Sequence, residues 1–338
     1  MKSKAVVFPA LDMIEVRDVV LPPIKEDEFL AETIYSYVSP GTELRTLAGY
    51  YGAKNNFPLV PGYSNISRVL ETGRTVSHFK TGDIIAARSG GAYVDVKSYF
   101  GGQSAYHVYH DDPSVHLLLP AMSDEELLPY TVTEVAAISY KGVRMADPQK
   151  GDDVLVIGQG MIGRFSAEFF RIHGGIVTVC DVDEKRLAEA AARGFDTVDL
   201  KDEKAKERLA CHACDGFDIV VECSGSTPGV ETAYSQVKKP AASKSYNYIK
   251  NLPKLVMQAT YVEKVPINPA YFFPSQGVIL ITPYDRDFSD RKMVVDMIRK
   301  KELDVADCVK NIFTPDEFVG AYRKLQNHEI SSAVFKWK

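Results

Sequence analysis

Residues 151–181 read GDDVLVIGQGMIGRFSAEFFRIHGGIVTVCD, and their order of strand, glycine turn, helix, strand and terminal acid decides the fold. Val154 to Ile157 form an apolar run without polar alternation, which suits a strand covered on both faces of a parallel sheet. Gly158, Gly160 and Gly163 follow at G-x-G-x-x-G spacing. The first permits a tight turn, the second lets backbone approach a pyrophosphate, and the third lets helix pack closely on strand. Met161 and Ile162 open a helix running to about His173, whose free N–H groups and positive dipole end face the phosphates. Ile162, Phe165, Phe169 and Ile172 recur at helical spacing, so one side of that helix can cover the sheet. Asp181 closes the second strand, where a carboxylate can accept hydrogen bonds from adenosine ribose hydroxyls. Val182, Asp183 and Glu184 come next and no arginine follows immediately. A 2'-phosphate there meets negative charge, so the sequence favours NAD(H) over NADP(H). The alternative for Asp181 is a solvated strand-end acid.

Working outward, EKRLAEAAARG predicts an amphipathic helix, FDTVDL a strand, DEKAKERLACHA a helix and FDIVVECSG another buried strand. Such alternation predicts a doubly wound parallel Rossmann sheet, placed over residues 123–283. Ser224 and Gly225, at the carboxyl end of their strand, are expected beside the cofactor. KLVMQAT and GVILITP predict the remaining strands, while residues 238–253, KKPAASKSYNYIKNLP, exceed an ordinary connection and receive no assignment. Residues 1–122 carry short strand-like runs separated by Pro, Gly and Asp clusters, the texture of a partly open barrel. Residues 284–338 carry no cofactor motif and are expected to return to that β-rich part and complete it.

The 338 residues are 45% hydrophobic and 25% charged with net charge −5, which leaves no footprint for nucleic acid or an anionic membrane. No apolar run approaches a bilayer span and MKSKAVVFPALDM lacks a signal-peptide core, so a cytoplasmic location is expected. Five cysteines do not suggest a disulfide framework, and Cys211-x-x-Cys214 lacks the second pair or the strand-to-helix context of a metal or redox motif. His107, His110 and His116 lie close together, but strand spacing sends His107 and His110 to opposite faces, which favours a structural reading over a metal site.

Three further stretches, with the glycine turn, carry a family resemblance. SPGTELRTLAGYYG at residues 39–52, FPLVPGYSNISRVLETG at 57–73, HFKTGDIIAA at 78–87 and the glycine turn itself resemble the medium-chain dehydrogenase/reductase superfamily over nearly the whole chain. The S-P-G-T-E and P-G-Y-S variants look most like the subgroup that includes bacteriochlorophyllide a dehydrogenase; the tetrapyrrole substrate does not transfer. The resemblance implies a GroES-like catalytic domain beside the Rossmann domain, and homodimerisation through the edge strand near Gly277 to Thr282.

The departures from the family pattern bear on the chemistry. Where zinc-dependent members have Cys, His and often Glu ligands, this sequence has Pro40 beside Ser39, then Tyr63, then Glu134. Neither Pro nor Tyr is an ordinary zinc ligand, and the structural zinc lobe of four cysteines has no counterpart in residues 85–115. No metal is expected. By the same resemblance Thr42 aligns with the hydroxyl that passes the substrate proton and Arg45 with a relay histidine. Tyr63 could place a phenol near a carbonyl oxygen, while Lys141 lies two turns beyond Glu134 on what reads as one helix face. Each residue has an ordinary alternative: Thr42 and Glu43 as turn caps, Arg45 in a surface ion pair, Tyr63 in the core. Tyr50, Tyr51 and Tyr99 could line an amphipathic pocket for a hydroxylated ring. The expected activity is zinc-independent, NAD(H)-linked interconversion of a secondary alcohol and a ketone. Reduction of an activated double bond, or a nucleotide-binding sensor that has lost catalysis, are the alternatives.

Overall fold

The computed structural model describes residues 1–238, 252–262, 264–265 and 277–338. The chain divides into two compact units, residues 1–135 with 291–338, and residues 136–290.

The first unit is built on Glu28–Val38, whose aromatic and β-branched residues Phe29, Ile34, Tyr35, Tyr37 and Val38 are buried and hold an extended backbone. Its seven-stranded sheet runs Ile312–Phe313, Ala333–Lys336, Glu28–Val38, Ser64–Thr72, Ile84–Arg88, His116–Leu119, with Tyr106–His110 also pairing to Glu28–Val38. Register shifts at Leu30/Ala31 and Thr33/Tyr35 bend the central strand and curl the sheet. Ala333–Lys336 lies antiparallel to it with Val334 opposite Tyr37, so the C-terminal segment returns to the β-rich part as expected. Phe318, from helix Phe318–Gln326, stacks on Phe335 at 3.9 Å and helps close the core beneath helix Pro40–Leu47.

The second unit is a parallel sheet in the order Asp196–Asp199, Ile176–Asp181, Asp153–Ile157, Ile219–Glu222, Lys254–Met257, Ile279–Ile281. The chain builds outward from Asp153–Ile157 to one edge, then returns to the other side of that strand at Ile219–Glu222. This reversal is a topological switch point. The five strands following the glycine turn fall where the sequence predicts them. Residues 239–251 of the unassigned stretch lie outside the described residues.

The units divide at 135/136 and 290/291, beyond the expected 122/123 and 283/284. At the first boundary, the turn Asp124–Leu127, capped by Ser123, and the short helix Leu128–Val132 belong to the first unit: Ser64 Oγ donates to Thr131 C=O (2.7 Å) and Arg68 pairs with Asp124 (2.5 Å). At the second, helix Phe288–Arg299 starts in the second unit, where Arg144 binds Asp287 (2.6 Å) and Asp290 (2.7 Å), and passes into the first at Arg291. No helix among the described residues is long and apolar enough to cross a membrane.

Candidate functional site

In the second unit the predicted cofactor residues come together. Gly158 has φ +88°, and a Cβ there would lie 2.8 Å from Ser224 N; a Cβ on Gly163 would run into Gly158 O. These contacts explain two of the three glycines by turn and close approach. A Cβ on Gly160 would meet nothing within 4 Å, so the turn is open on that side, beside the N-terminus of helix Met161–Ile172. Gln159 Oε1 is buried with no hydrogen-bond partner among the described residues. Open space, an unsatisfied polar atom and a helix N-terminus together fit a dinucleotide.

Asp181, expected to accept from ribose hydroxyls, also has partners within the chain. Its carboxylate already accepts N–H bonds from Gln159 (2.5 Å), Val182 (2.7 Å) and Asp183 (3.0 Å), locking the second strand to the glycine turn. Arg186, in the first turn of helix Glu184–Ala192, brings Nη1 to 3.7 Å of Asp181 and Nε to 3.6 Å of Asp183. Val182, Asp183 and Glu184, directly after Asp181, offer a 2'-phosphate no positive charge, and that is the ground for favouring NAD(H). One helical turn restores that charge, so these residues no longer separate NAD from NADP. Ser224 and Gly225 lie at the strand end as expected, but both amides turn to Glu222, a carboxylate that the motif reading passed over.

In the first unit Tyr63, 5% exposed, donates its phenol to Ser39 Oγ at 2.8 Å. Ser39 sits at the N-cap of helix Pro40–Leu47 without capping it through its side chain; Glu43 Oε1 takes the Ser39 amide instead (2.9 Å). Ser39 Oγ is thereby left for Tyr63. Glu43 is 1% exposed and also accepts from Gln103 Nε2 and the Tyr322 phenol. Burial pushes its carboxyl up to about 7, against the pull of the Tyr322, Ser39 and Gln103 hydrogen bonds. Thr42 is half-buried on the same helix, its carbonyl accepting from Thr46 Oγ1.

Other predicted residues have different work. Glu134 and Arg291 form an ion pair at 2.5 Å with both side chains 1% exposed, so Glu134 holds the fold and not a substrate proton. Lys141 donates to Tyr284 C=O (2.9 Å) and pairs with Asp287 (3.2 Å) in the second unit. It therefore serves that unit's helix packing. Arg45 donates to the Tyr51 hydroxyl (3.1 Å). Of the three tyrosines expected to line a pocket, Tyr99 lines a cavity of about 380 Å³ with Asn56, Tyr93 and Lys97, while Tyr50 and Tyr51 are exposed. His107 and His116 are buried in the aromatic packing around Tyr109, with ring centroids 5.2 and 4.5 Å from it, and His110 is exposed.

The donors at the positions that the resemblance aligns with zinc ligands do not suit that metal. Tyr63 and Ser39 are bonded to each other, Pro40 has no donor, and Glu134 is held by Arg291. Of the residues the sequence reading missed, Arg186 follows from counting one helical turn past Asp181. Glu222 shows the same pattern as Asp181, an acid ending an apolar strand.

No family model matches the chain. A sorbitol dehydrogenase of Halalkalibacterium halodurans is 27% identical over 222 residues, 59% of this chain and 63% of that enzyme. The chain's matches span 55–63% of the length of the first curated relatives. Among solved structures, an Escherichia coli oxidoreductase/dehydrogenase of unknown specificity superposes with TM-score 0.82 at 22% identity, covering 99% of both chains. A dehydrogenase from Sinorhizobium meliloti 1021 bound to NADP gives TM-score 0.78 at 17% identity, covering 100% of both. The fold is thus that of two-domain dehydrogenases, a parallel α/β sheet with a β-rich companion. The sequence matches support the medium-chain dehydrogenase/reductase superfamily, in its zinc-type alcohol dehydrogenase-like branch.

Proposed function

We propose that the chain is a zinc-independent oxidoreductase that interconverts a secondary alcohol of the polyol or cyclitol type and its ketone with NAD(H), in the cytoplasm. Its S-P-G-T-E and P-G-Y-S stretches support a place beside the subgroup that includes bacteriochlorophyllide a dehydrogenase. The observation that carries the reading is the buried Tyr63–Ser39 hydroxyl pair, at positions that the family resemblance aligns with zinc ligands. The similarity to a sorbitol dehydrogenase supports the alcohol class.

The glycine turn and the N-terminus of helix Met161–Ile172 would hold the pyrophosphate, and Asp181 with Arg186 the adenosine ribose. Bound there, the nicotinamide supplies hydride transfer. In ketone reduction Tyr63 gives its phenol proton to the developing alkoxide and is reprotonated through Ser39; in alcohol oxidation the proton moves the other way. Thr42 and Arg45, on the same helix as the Ser39 cap, would orient the substrate hydroxyls. The double-bond reductase reading is favoured by one observation, Arg186 beside Asp181, which suits NADPH.

Purified protein is expected to contain no stoichiometric zinc, to bind NADH as judged by fluorescence titration against NADPH, and to oxidise a member of a polyol panel with NAD. Tyr63→Phe should then lower kcat by roughly 10²- to 10⁴-fold, the usual range for a positioned acid or base. Stoichiometric zinc, or unchanged turnover in Tyr63→Phe, would remove this mechanism. A preference for NADPH with no alcohol oxidised would move the double-bond reductase ahead.

A homodimer through Ile279–Ile281 is part of the proposal, because that strand is at the edge of its sheet among the described residues. Sedimentation at micromolar concentration should show the dimer mass, and monomer alone would count against it.

A further inference from the structure

The sheet of the second unit reverses its strand order between Asp153–Ile157 and Ile219–Glu222, and in open α/β sheets ligands sit in the crevice at the carboxyl ends of the strands flanking such a reversal. The first of these strands ends in the glycine turn. The second ends in Glu222, a carboxylate with no exposed surface. Four donors converge on it: Ser224 N–H at 2.8 Å, Gly225 N–H at 3.2 Å, the Ser224 hydroxyl and the Tyr261 phenol.

The arrangement fixes the loop that forms the second wall of the crevice. Ser224 N, which Glu222 holds, is also the atom a Cβ on Gly158 would meet. Helix Thr227–Gln236 approaches the same cluster so closely that a Cβ on Gly229 would lie 2.7 Å from Glu222 Oε1. A buried carboxylate is costly unless its acceptor sites are filled, so the loop amides and Tyr261 are held by the energy of satisfying it. Tyr261 reaches Glu222 from beyond the neighbouring strand Lys254–Met257, and so ties the loop to the half of the sheet remote from Asp181.

We propose that Glu222 and Tyr261 are positioning residues for the nicotinamide half of a bound dinucleotide: they hold Ser224 and Gly225 as a preset wall opposite the glycine turn. This rests on reading the second unit as a nicotinamide dinucleotide site. Asp181, Arg186 and the adenosine half are on the other side of the switch point, and the pair does not touch them.

The test is a comparison of two probes on the full chain, NADH and AMP, by fluorescence and calorimetric titration, with Glu222→Gln and Tyr261→Phe. Gln keeps the shape but turns an amide donor toward donors already present. Phe removes a single phenol and leaves Glu222 its three donors from the loop, so it tests the idea even where Glu222→Gln fails to fold. Both variants are expected to weaken NADH about tenfold and to leave AMP within twofold. A merely structural role would weaken both probes together. Equal weakening of both, or NADH binding unchanged in Tyr261→Phe, overturns the positioning role. Wild-type protein that binds AMP and neither NADH nor NADPH overturns the dinucleotide reading beneath it, a result separate from the other two.

Discussion

Replacing Arg291 with methionine is expected to destabilise the first unit by about 3–5 kcal/mol, the usual cost of removing one partner from a buried ion pair. The guanidinium donates to Glu134 (2.5 Å), to Val115 C=O (2.6 Å) and to Ala86 C=O (2.8 Å), so two buried acceptors and one part-buried one lose a donor at once. The desolvation cost of the pair was met on folding, and the single variant keeps that cost for Glu134 while discarding the attraction. Converting both partners, in Glu134→Leu/Arg291→Met, removes the charge on each side and is expected to recover most of the loss. The protein has a single tryptophan, Trp337, 8% exposed in the first unit, so urea unfolding followed by its fluorescence reads the right region. A loss below 1 kcal/mol in Arg291→Met would show that the pair contributes little.

The second large effect is on stability against pH, where two opposing contributions come from one unit. Burial holds the His107 and His116 imidazoles down at about 3, against an ordinary 6.5. His116 presses on His107; Arg291 and His110 push His116 lower, and Asp112 and Asp111 pull it back. Below 6.5 the unfolded chain takes up protons that the folded one refuses, so stability is full above 6.5 and falls on acidification toward 3. Between pH 7 and 5 the two histidines together remove about 4 kcal/mol. Glu43 has the opposite sign. Its folded-state carboxyl lies at about 7, above the unfolded 4.5, so its contribution is full at low pH and is lost as pH rises through 7. Going from pH 7 to 5 it returns about 2 kcal/mol. Wild-type protein should therefore lose about 2 kcal/mol over that interval, and Glu43→Gln about 4, since Gln has no proton to take up. Urea midpoints that do not move between pH 7 and 5 in either protein would rule out this assignment.

What could be read in the sequence follows the range of the interactions involved. Residues 151–181 carry their structure locally: strand composition, glycine spacing and helical period all lie within some thirty positions, and the sheet and turn form as those patterns require. The candidate site of the first unit is a different case. Glu134 looks like a leftover metal ligand until Arg291, 157 positions on, occupies it. Glu43 looks like a turn cap until Tyr322, 279 positions on, reaches its carboxylate. No spacing rule spans such distances, because the pairing is set by how Ala333–Lys336 and helix Phe318–Gln326 dock. Asp181 shows the intermediate range. Its place at the strand end is local and was legible, while Arg186 closes on it only after a helical turn is built.

The strand Ala333–Lys336 also fixes an order of events during synthesis. It pairs with Glu28–Val38, the strand at the centre of the first unit, and lies beyond every residue of the second. The second unit is one uninterrupted stretch, complete once residue 290 has left the ribosome. The sheet beside Ser39 must wait for more than forty further residues: Tyr106–His110 already pairs with Glu28–Glu32, but Tyr35–Val38 still lacks its partner. The nascent chain thus carries a finished parallel α/β unit while the β-rich unit still has an open edge, which makes this interval the one in which wrong strand partners compete.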